Sequence, residues 1–334
     1  MGMWPRLAAA LAACAAGLVL VAPSGTVVAG DRAEVAFTIR DPRITESSGL
    51  TASRSHPGVV YTHNDSGDAA RVFAVGPDGR VLATLRLAGV VARDWEAIAA
   101  GRDERGQPAL FVGDVGDNRG TWPSVAVYRI SEPATLRNAT VPARRFRLRY
   151  PDGPRNAEAL LVDPRSNRLF VASKDPLGGG LYEAPAELRG DRVNLLRRVA
   201  SAPSLVTDGA FSPDGRSFVL RGYLDAYVYT ASGKQIDRFS LPAQEQGESI
   251  TYTRDGRDVL VGSEGADSPV WRVRLPDEAT PPDGAAARPG GPASPGGGGP
   301  AGIPAALRGW RLGLLLFVLL MAGVLVAGLT RRRR

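Results

Sequence analysis

The sequence predicts an all-β chain of β-propeller type, and three observations carry that expectation. First, an acid followed by a short apolar segment recurs in "ESSGLTAS" (Glu46), "WEAIAAG" (Glu96), "AEALLVD" (Glu158), "TDGAFSPDG" (Asp208) and "GESITYTRDG" (Glu248), at spacings of 50, 62, 50 and 40 residues. Second, each acid is followed by further β-type runs, separated by turns rich in Asp, Gly, Pro, Ser and Asn, as tight hairpins require. Third, no stretch sustains a 3.6-residue apolar period, which disfavours helical repeats. Units of four strands repeated at roughly 40 to 60 residues describe a propeller, with a two-sheet sandwich as the alternative. The count is five blades, or six if the long second unit hides another.

The chain opens with "MGMWPRLAAALAACAAGLVLVAPSGTVVAGD". One charge, an apolar run and then small residues predict a signal peptide over 1–29, cleaved after Ala29. Cys14 stands in "LAAC", which fits a lipobox, so lipidation there is a second option. It is the single cysteine of the chain, so the mature domain has no disulfide to hold it. An orphan strand, "AEVAFTI" (Ala33–Ile39), then precedes the first repeat. Paired into the last sheet, it would close a ring and remove two open edges.

The repeats fill the domain at 31–276. Their second runs are "VVYTHND", "ALFVGD", "RLFVASKD", "SFVLRGYLD" and "DVLVGSEG"; their third are "RVFAV", "VAVYRI", "GLYEA", "AYVYT" and "VWRVRL". Four units have a fourth run, "VLATLRL", "RRFRLRY", "VNLLRRVA" and "QIDRFSL"; the fifth lacks one, which the N-terminal strand would supply. Residues 277–304 are dominated by Pro and Gly and cannot bury a core, so they read as an extended linker. Leu312–Thr330 is 19 residues without a charge, long enough at 1.5 Å per residue to span roughly 28 Å, and predicts a transmembrane helix over 309–330. "RRRR" at 331–334 then marks a cytoplasmic tail, leaving the bulk of the chain outside a cell membrane crossed once.

The formal charge of +7 falls to about +2 once the termini, which hold eight of the 41 Lys+Arg and three of the 34 Asp+Glu, are set aside. With no long basic run, the domain has no nucleic-acid surface.

In an antiparallel hairpin, the start of one strand lies beside the end of its partner. Each leading acid therefore meets the tail of the next run: Glu46 with His63, Asn64 and Asp65; Asp94 and Glu96 with Asp114 and Asp117; Glu158 with Lys174 and Asp175; Asp208 with Asp225; Glu248 with Glu264. In a propeller these tips converge on one mouth of the central channel. Carboxylates brought together must be protonated, paired or metal-bound. Oxygen donors suit calcium better than zinc, and a domain with two histidines and no cysteine offers no ordinary zinc site. Glu46, Asp65, Asp94, Glu96, Asp114, Asp117, Glu158, Asp208 and Glu248 are the candidate ligands, and His63 in "THNDSGD" is the candidate proton carrier. The bland alternative for each acid is a turn cap or a pair with one of the many arginines.

The stretch "ITESSGLTAS", "YTHNDSGD", "DWEAIA" and "GDVGDN", over roughly residues 42–131, resembles secreted actinobacterial propeller proteins labelled WD-repeat-like. The repeated E-x-[IL] strand starts from Glu46 to Ile250 are similar to those of the family described as esterase-like activity of phytase. The resemblance implies an extracytoplasmic propeller and metal-assisted phosphoester chemistry. The fourth repeat departs from it with Asp208 where the others have Glu. Three classes of function follow. One is a membrane-anchored recognition module, with a calcium-holding mouth, for an extracellular ligand or protein. Another is a metal-dependent hydrolase, with Glu96, Asp114 and Asp117 as ligands and His63 as acid or base. The last is a purely structural envelope protein.

Overall fold

A computed structural model describes residues 32–276, which are built from strands alone. No helix among them is long and apolar enough to cross a membrane. The expected signal peptide, Cys14, the linker, the spanning helix and the Arg tail lie outside the described residues.

Strand β1 (Ala33–Thr38) comes first, followed by a blade of β2 (Ser47–Ala52), β3 (Val60–Asn64), β4 (Arg71–Val75) and β5 (Val81–Leu87). The second blade has β6 (Ala97–Arg102), β7 (Pro108–Asp114) and β8 (Val125–Ser131); the short β9 (Ala139–Val141) leads into its β10 (Arg144–Arg149). The third has β11 (Ala157–Val162), β12 (Leu169–Ser173) and β13 (Gly180–Glu183); β14 (Val193–Leu195) precedes its β15 (Arg197–Ser201). The fourth is β16 (Asp208–Phe211), β17 (Ser217–Arg221), β18 (Asp225–Thr230) and β19 (Gln235–Ser240). The fifth is β20 (Gly247–Tyr252), β21 (Asp258–Ser263) and β22 (Pro269–Arg274), with β1 as its outer strand. There are five blades.

The ring closes as the orphan strand predicts. β1 pairs antiparallel with β22, Ala33 opposite Val273 and Thr38 opposite Pro269. The innermost strands β2, β6, β11, β16 and β20 each touch the next, and β20 touches β2 again. Their residues face two neighbours because side chains alternate along a strand. Ala97 and Ala99 pack toward the third blade, whereas Ile98 packs toward the first. Five buried clusters result, one for each blade-to-blade interface. Fully buried Trp95 and Phe73 are among their large side chains, and each such residue contributes about 1.5–3 kcal/mol. "AEALLV" in β11 is buried throughout, while "RRFRLR" in β10 alternates exposed and buried, as an outer strand with one wet face must.

Two details go beyond the four-strand expectation. β9 pairs parallel with β5, and β14 pairs parallel with β10, so the first two blades each gain a fifth strand from the blade that follows. "VNLLRRVA" is therefore two strands serving two blades, divided at the buried Leu196.

Candidate functional site

The hairpin pairing delivers the acids to one end of the channel. In the first blade, Asn64 opposes Ser47, and its Oδ1 accepts hydrogen bonds from the Thr45 and Glu46 amides at 3.1 and 3.2 Å. The Asp65 amide donates to the Glu46 carbonyl at 2.9 Å. In the second, the Glu96 amide donates to the Gly113 carbonyl, and the Gly116 amide to that of Asp94. Carboxylate oxygens of Asp65, Asp94 and Glu96 consequently lie within 4.8 Å of one another. Two oxygens sharing a calcium at about 2.3–2.6 Å cannot be much farther apart than about 5 Å, so this triad fits one ion.

Gly116 makes room for the triad. A Cβ built at that position would collide with Glu96 Oε1 and Asp94 Oδ2. Among the described residues, no hydrogen-bond donor reaches the side chain of either acid.

Bulges aim two further acids into the same mouth. Register shifts between Ala157 and Ala159, and between Gly247 and Ser249, leave Glu158 and Glu248 unpaired in their strands; a bulge of this kind re-aims the extra side chain. Glu158 accepts from Lys174 Nζ at 2.5 Å and from Asn156 Nδ2 at 3.2 Å. Lys174 also donates to the Tyr223 hydroxyl at 2.8 Å and lies over that ring at 5.0 Å. Glu248 Oε1 accepts from Gln246, while its buried Oε2 and the buried Asp65 Oδ1 have no partner.

The charges feel one another. Burial, then the neighbouring Glu158, Asp65 and Asp94, holds Glu96 far above the usual carboxylate range. Burial and then Asp94 raise Asp65; burial raises Glu158 against the pull of Lys174, and burial also raises Glu248. Glu264, across the hairpin from Glu248, is pushed up to about 7 by burial and then by Glu248. Asp94 is raised by burial and then by Asp114. The single ammonium of Lys174 is far outnumbered.

The remaining candidates are more exposed than this crowd or bonded to other partners. Glu46 is exposed, and its charge adds to those that raise Asp65 and Glu264. Asp114, raised by burial, accepts the Asp94 amide at 2.9 Å and has Arg93 nearby at 3.7 Å. Asp117 caps a turn, accepting the Thr121 and Trp122 amides at 3.0 and 2.7 Å. Asp208 is wholly buried and raised well above the usual range; its Oδ2 accepts the Ile250 amide at 2.8 Å, bracing the fourth blade against the fifth. Its cross-strand partner is Arg221 and not Asp225, which pairs with Arg238 on an outer strand. Asp175 accepts the Leu177 amide in its own turn.

His63 is enclosed behind the mouth, with no exposed surface. Its Nδ1 lies 2.9 Å from the Asn64 carbonyl, its ring meets Trp95 edge-on at 5.8 Å, and burial pulls its pKa down to about 4. It is neutral at physiological pH.

Sequence reasoning passed over Gly116, Asn156 and Tyr223 as parts of the site. The "GDVGDN" glycines flag a tight approach, but nothing in the string says which one faces the carboxylates.

No protein-family model matches the chain, and no curated protein matches its sequence. Among solved structures it is similar to a gluconolactonase from Xanthomonas campestris, at 14% identity over 70% of this chain and 88% of that one, with a TM-score of 0.44. It is also similar to a chain of a nidogen/laminin complex, at 14% identity over 65% of this chain and 72% of that one, with a TM-score of 0.40. Likenesses this distant say nothing about what the chain binds or catalyses.

Proposed function

We propose that the chain is a recognition module whose propeller holds a divalent cation, calcium in preference to zinc, at its acidic mouth. The observation that carries this reading is the Asp65–Asp94–Glu96 triad, with its oxygens within 4.8 Å, Gly116 leaving it space, and the unpartnered buried oxygens of Asp65 and Glu248 beside it. A doubly charged cation would relieve the repulsion that otherwise forces these acids to hold protons. Calcium takes six to eight oxygens, so three carboxylates leave coordination positions for water or for oxygen atoms of a ligand. That remainder is what would let the mouth recognise an oxygen-rich partner. In the same proposal, the apolar run Leu312–Thr330 and the Arg residues at 331–334 hold the propeller on the outer side of a membrane.

A metal-dependent hydrolase is the second reading, favoured by the Lys174 ammonium and Tyr223 hydroxyl at the same mouth. Both would hold a substrate oxyanion, and a cation held by the triad would supply the polarisation of the scissile group. His63 is a poor proton carrier for that chemistry because its ring is sealed off.

Calorimetric titration of the full-length chain with calcium tests the proposal. Saturable binding that weakens at least about tenfold in Glu96→Gln supports it, and equal binding by wild type and variant contradicts it. Calcium-dependent turnover of ester or phosphoester substrates would decide for the hydrolase.

A further inference from the structure

A hollow opens at the end of the channel opposite the acids. Residues of all five innermost strands wall a cavity of about 280 Å³, with the part-exposed Ala52, Ala100, Pro164 and Phe211 among the apolar lining. Water occupies about 30 Å³ per molecule in the liquid, so this space takes a body of roughly ten non-hydrogen atoms.

The rim of this cavity is basic. Arg54 and Arg254 line it, and Arg102 stands close enough to repel Arg54. Arg254 donates to the Arg54 carbonyl at 3.3 Å, and Arg102 to the Pro164 carbonyl at 2.8 Å, so both spend a guanidinium donor on backbone. None of the three is within ion-pair distance of a carboxylate among the described residues. Acids do lie at this end. Glu132 Oε1 accepts from Ser53 Oγ at 2.5 Å and from the Arg54 and Ser55 amides at 3.1 and 3.3 Å, while its buried Oε2 has no hydrogen-bond partner. Asp103, Asp163, Asp214 and Asp255 each cap their own hairpin turn through a backbone amide. Burial and then Arg102 hold the Arg54 guanidinium below its ordinary pKa, against the pull of Glu132.

We infer that this end of the channel binds a small organic carboxylate with an apolar body. Arg54 and Arg254 would take the carboxylate, whose planar oxygens match a guanidinium fork. The apolar walls would take an aromatic or branched body. An inorganic anion would leave those walls wet, and a neutral apolar molecule would leave the guanidinium groups unanswered. The site stands independently of the cation reading because none of its residues belongs to the acidic mouth.

The test is calorimetric titration of the full-length chain, kept in a mild non-ionic detergent, with sodium phenylacetate. Phenylacetamide and inorganic phosphate are the comparison arms. Expected is single-site binding of phenylacetate that weakens about tenfold or more for either comparison ligand and in Arg54→Gln/Arg254→Gln. Among the described residues the Arg54 guanidinium makes no hydrogen bond and that of Arg254 makes one long bond to an exposed turn. This variant should therefore fold, and an unchanged melting temperature verifies that it does. Phenylacetamide binding as tightly as phenylacetate would overturn the role of charge. Phosphate binding as tightly would overturn the role of the walls. Absence of phenylacetate binding up to about 10 mM, or unaltered binding in the folded double variant, would overturn the site itself.

Discussion

Gly116 contributes no side chain, yet the mouth depends on it. Its α-carbon faces Glu96 and Asp94 so closely that even a methyl group collides with both carboxylates. Gly116→Ala should therefore lower calcium affinity by at least about tenfold while leaving the ring folded, since the neighbouring "GD" strand end and its hydrogen bonds are untouched. Titration calorimetry checks the first part and the melting temperature the second. The same scale shows what a string of letters conveys. Glu96 and Asp94 are legible as site residues because a hairpin forces them beside Asp114. Asp117 carries the same letter, but its oxygens go to two amides of its own turn. His63 follows the same hairpin logic to the correct strand end, yet the neighbouring Trp95 seals its ring away. Which face a side chain adopts depends on the adjacent blade, and the repeats stand 40 to 62 residues apart in sequence.

At the scale of strands, the arrangement rests on hairpins that the sequence marks plainly and on irregularities that it does not. Turns such as "DERGQ" and "SPDGR" carry their own caps: Asp103 accepts the Arg105 and Gln107 amides at 2.8 Å, and Asp214 accepts that of Arg216 at 3.0 Å. They punctuate the strands visibly. The bulges that turn Glu158 and Glu248 inward leave no such mark, because an extra residue in a strand looks like any other residue. β9 and β14 escape notice for another reason: three residues cannot show a period. Arg221 gives this scale its clearest test. Fully buried on β17, it donates to the Ser249 and Gly262 carbonyls at 2.7 and 2.9 Å and to Gln244 at 2.6 Å, passing where any Cβ at Gly247 would clash with it. It ties the fourth blade to the fifth. Arg221→Met should cost about 3 kcal/mol or more, since it strands buried carbonyls and the carboxyl of Asp208. Denaturant unfolding measures the loss, and a change below about 1 kcal/mol would contradict this role.

The propeller formed by the described residues is a closed ring with opposite electrical characters at its two ends, carboxylates at one mouth and guanidinium groups at the other. Closure is legible from "AEVAFTI" standing ahead of the first repeat while the last lacks an outer strand. The polarity is only half legible: Arg102 and Arg254 each stand six residues after their leading acid, but Arg54 stands eight after Glu46, and Pro164 and Asp214 take the six-residue position in the other two full repeats. The acid end makes stability depend on pH in a defined direction. Glu264 changes protonation near 4.5 when unfolded and near about 7 when folded, and Asp65, Glu96 and Glu158 are raised as well. Between those values the folded chain binds more protons than the unfolded one. The contribution of Glu264 is thus fully present below about pH 4.5 and is lost as pH rises through about 7, and that of the more strongly raised Glu96 is lost higher still. The melting temperature without calcium should fall from pH 5 to pH 8, and added calcium should restore more at pH 8 than at pH 5. Anomalous diffraction from crystals grown with terbium, a calcium substitute, tests the central claim most directly. The account predicts a peak within about 2.6 Å of carboxylate oxygens from Asp65, Asp94 and Glu96 together. Ordered terbium found only at other surface acids, with these three left bare, would contradict it.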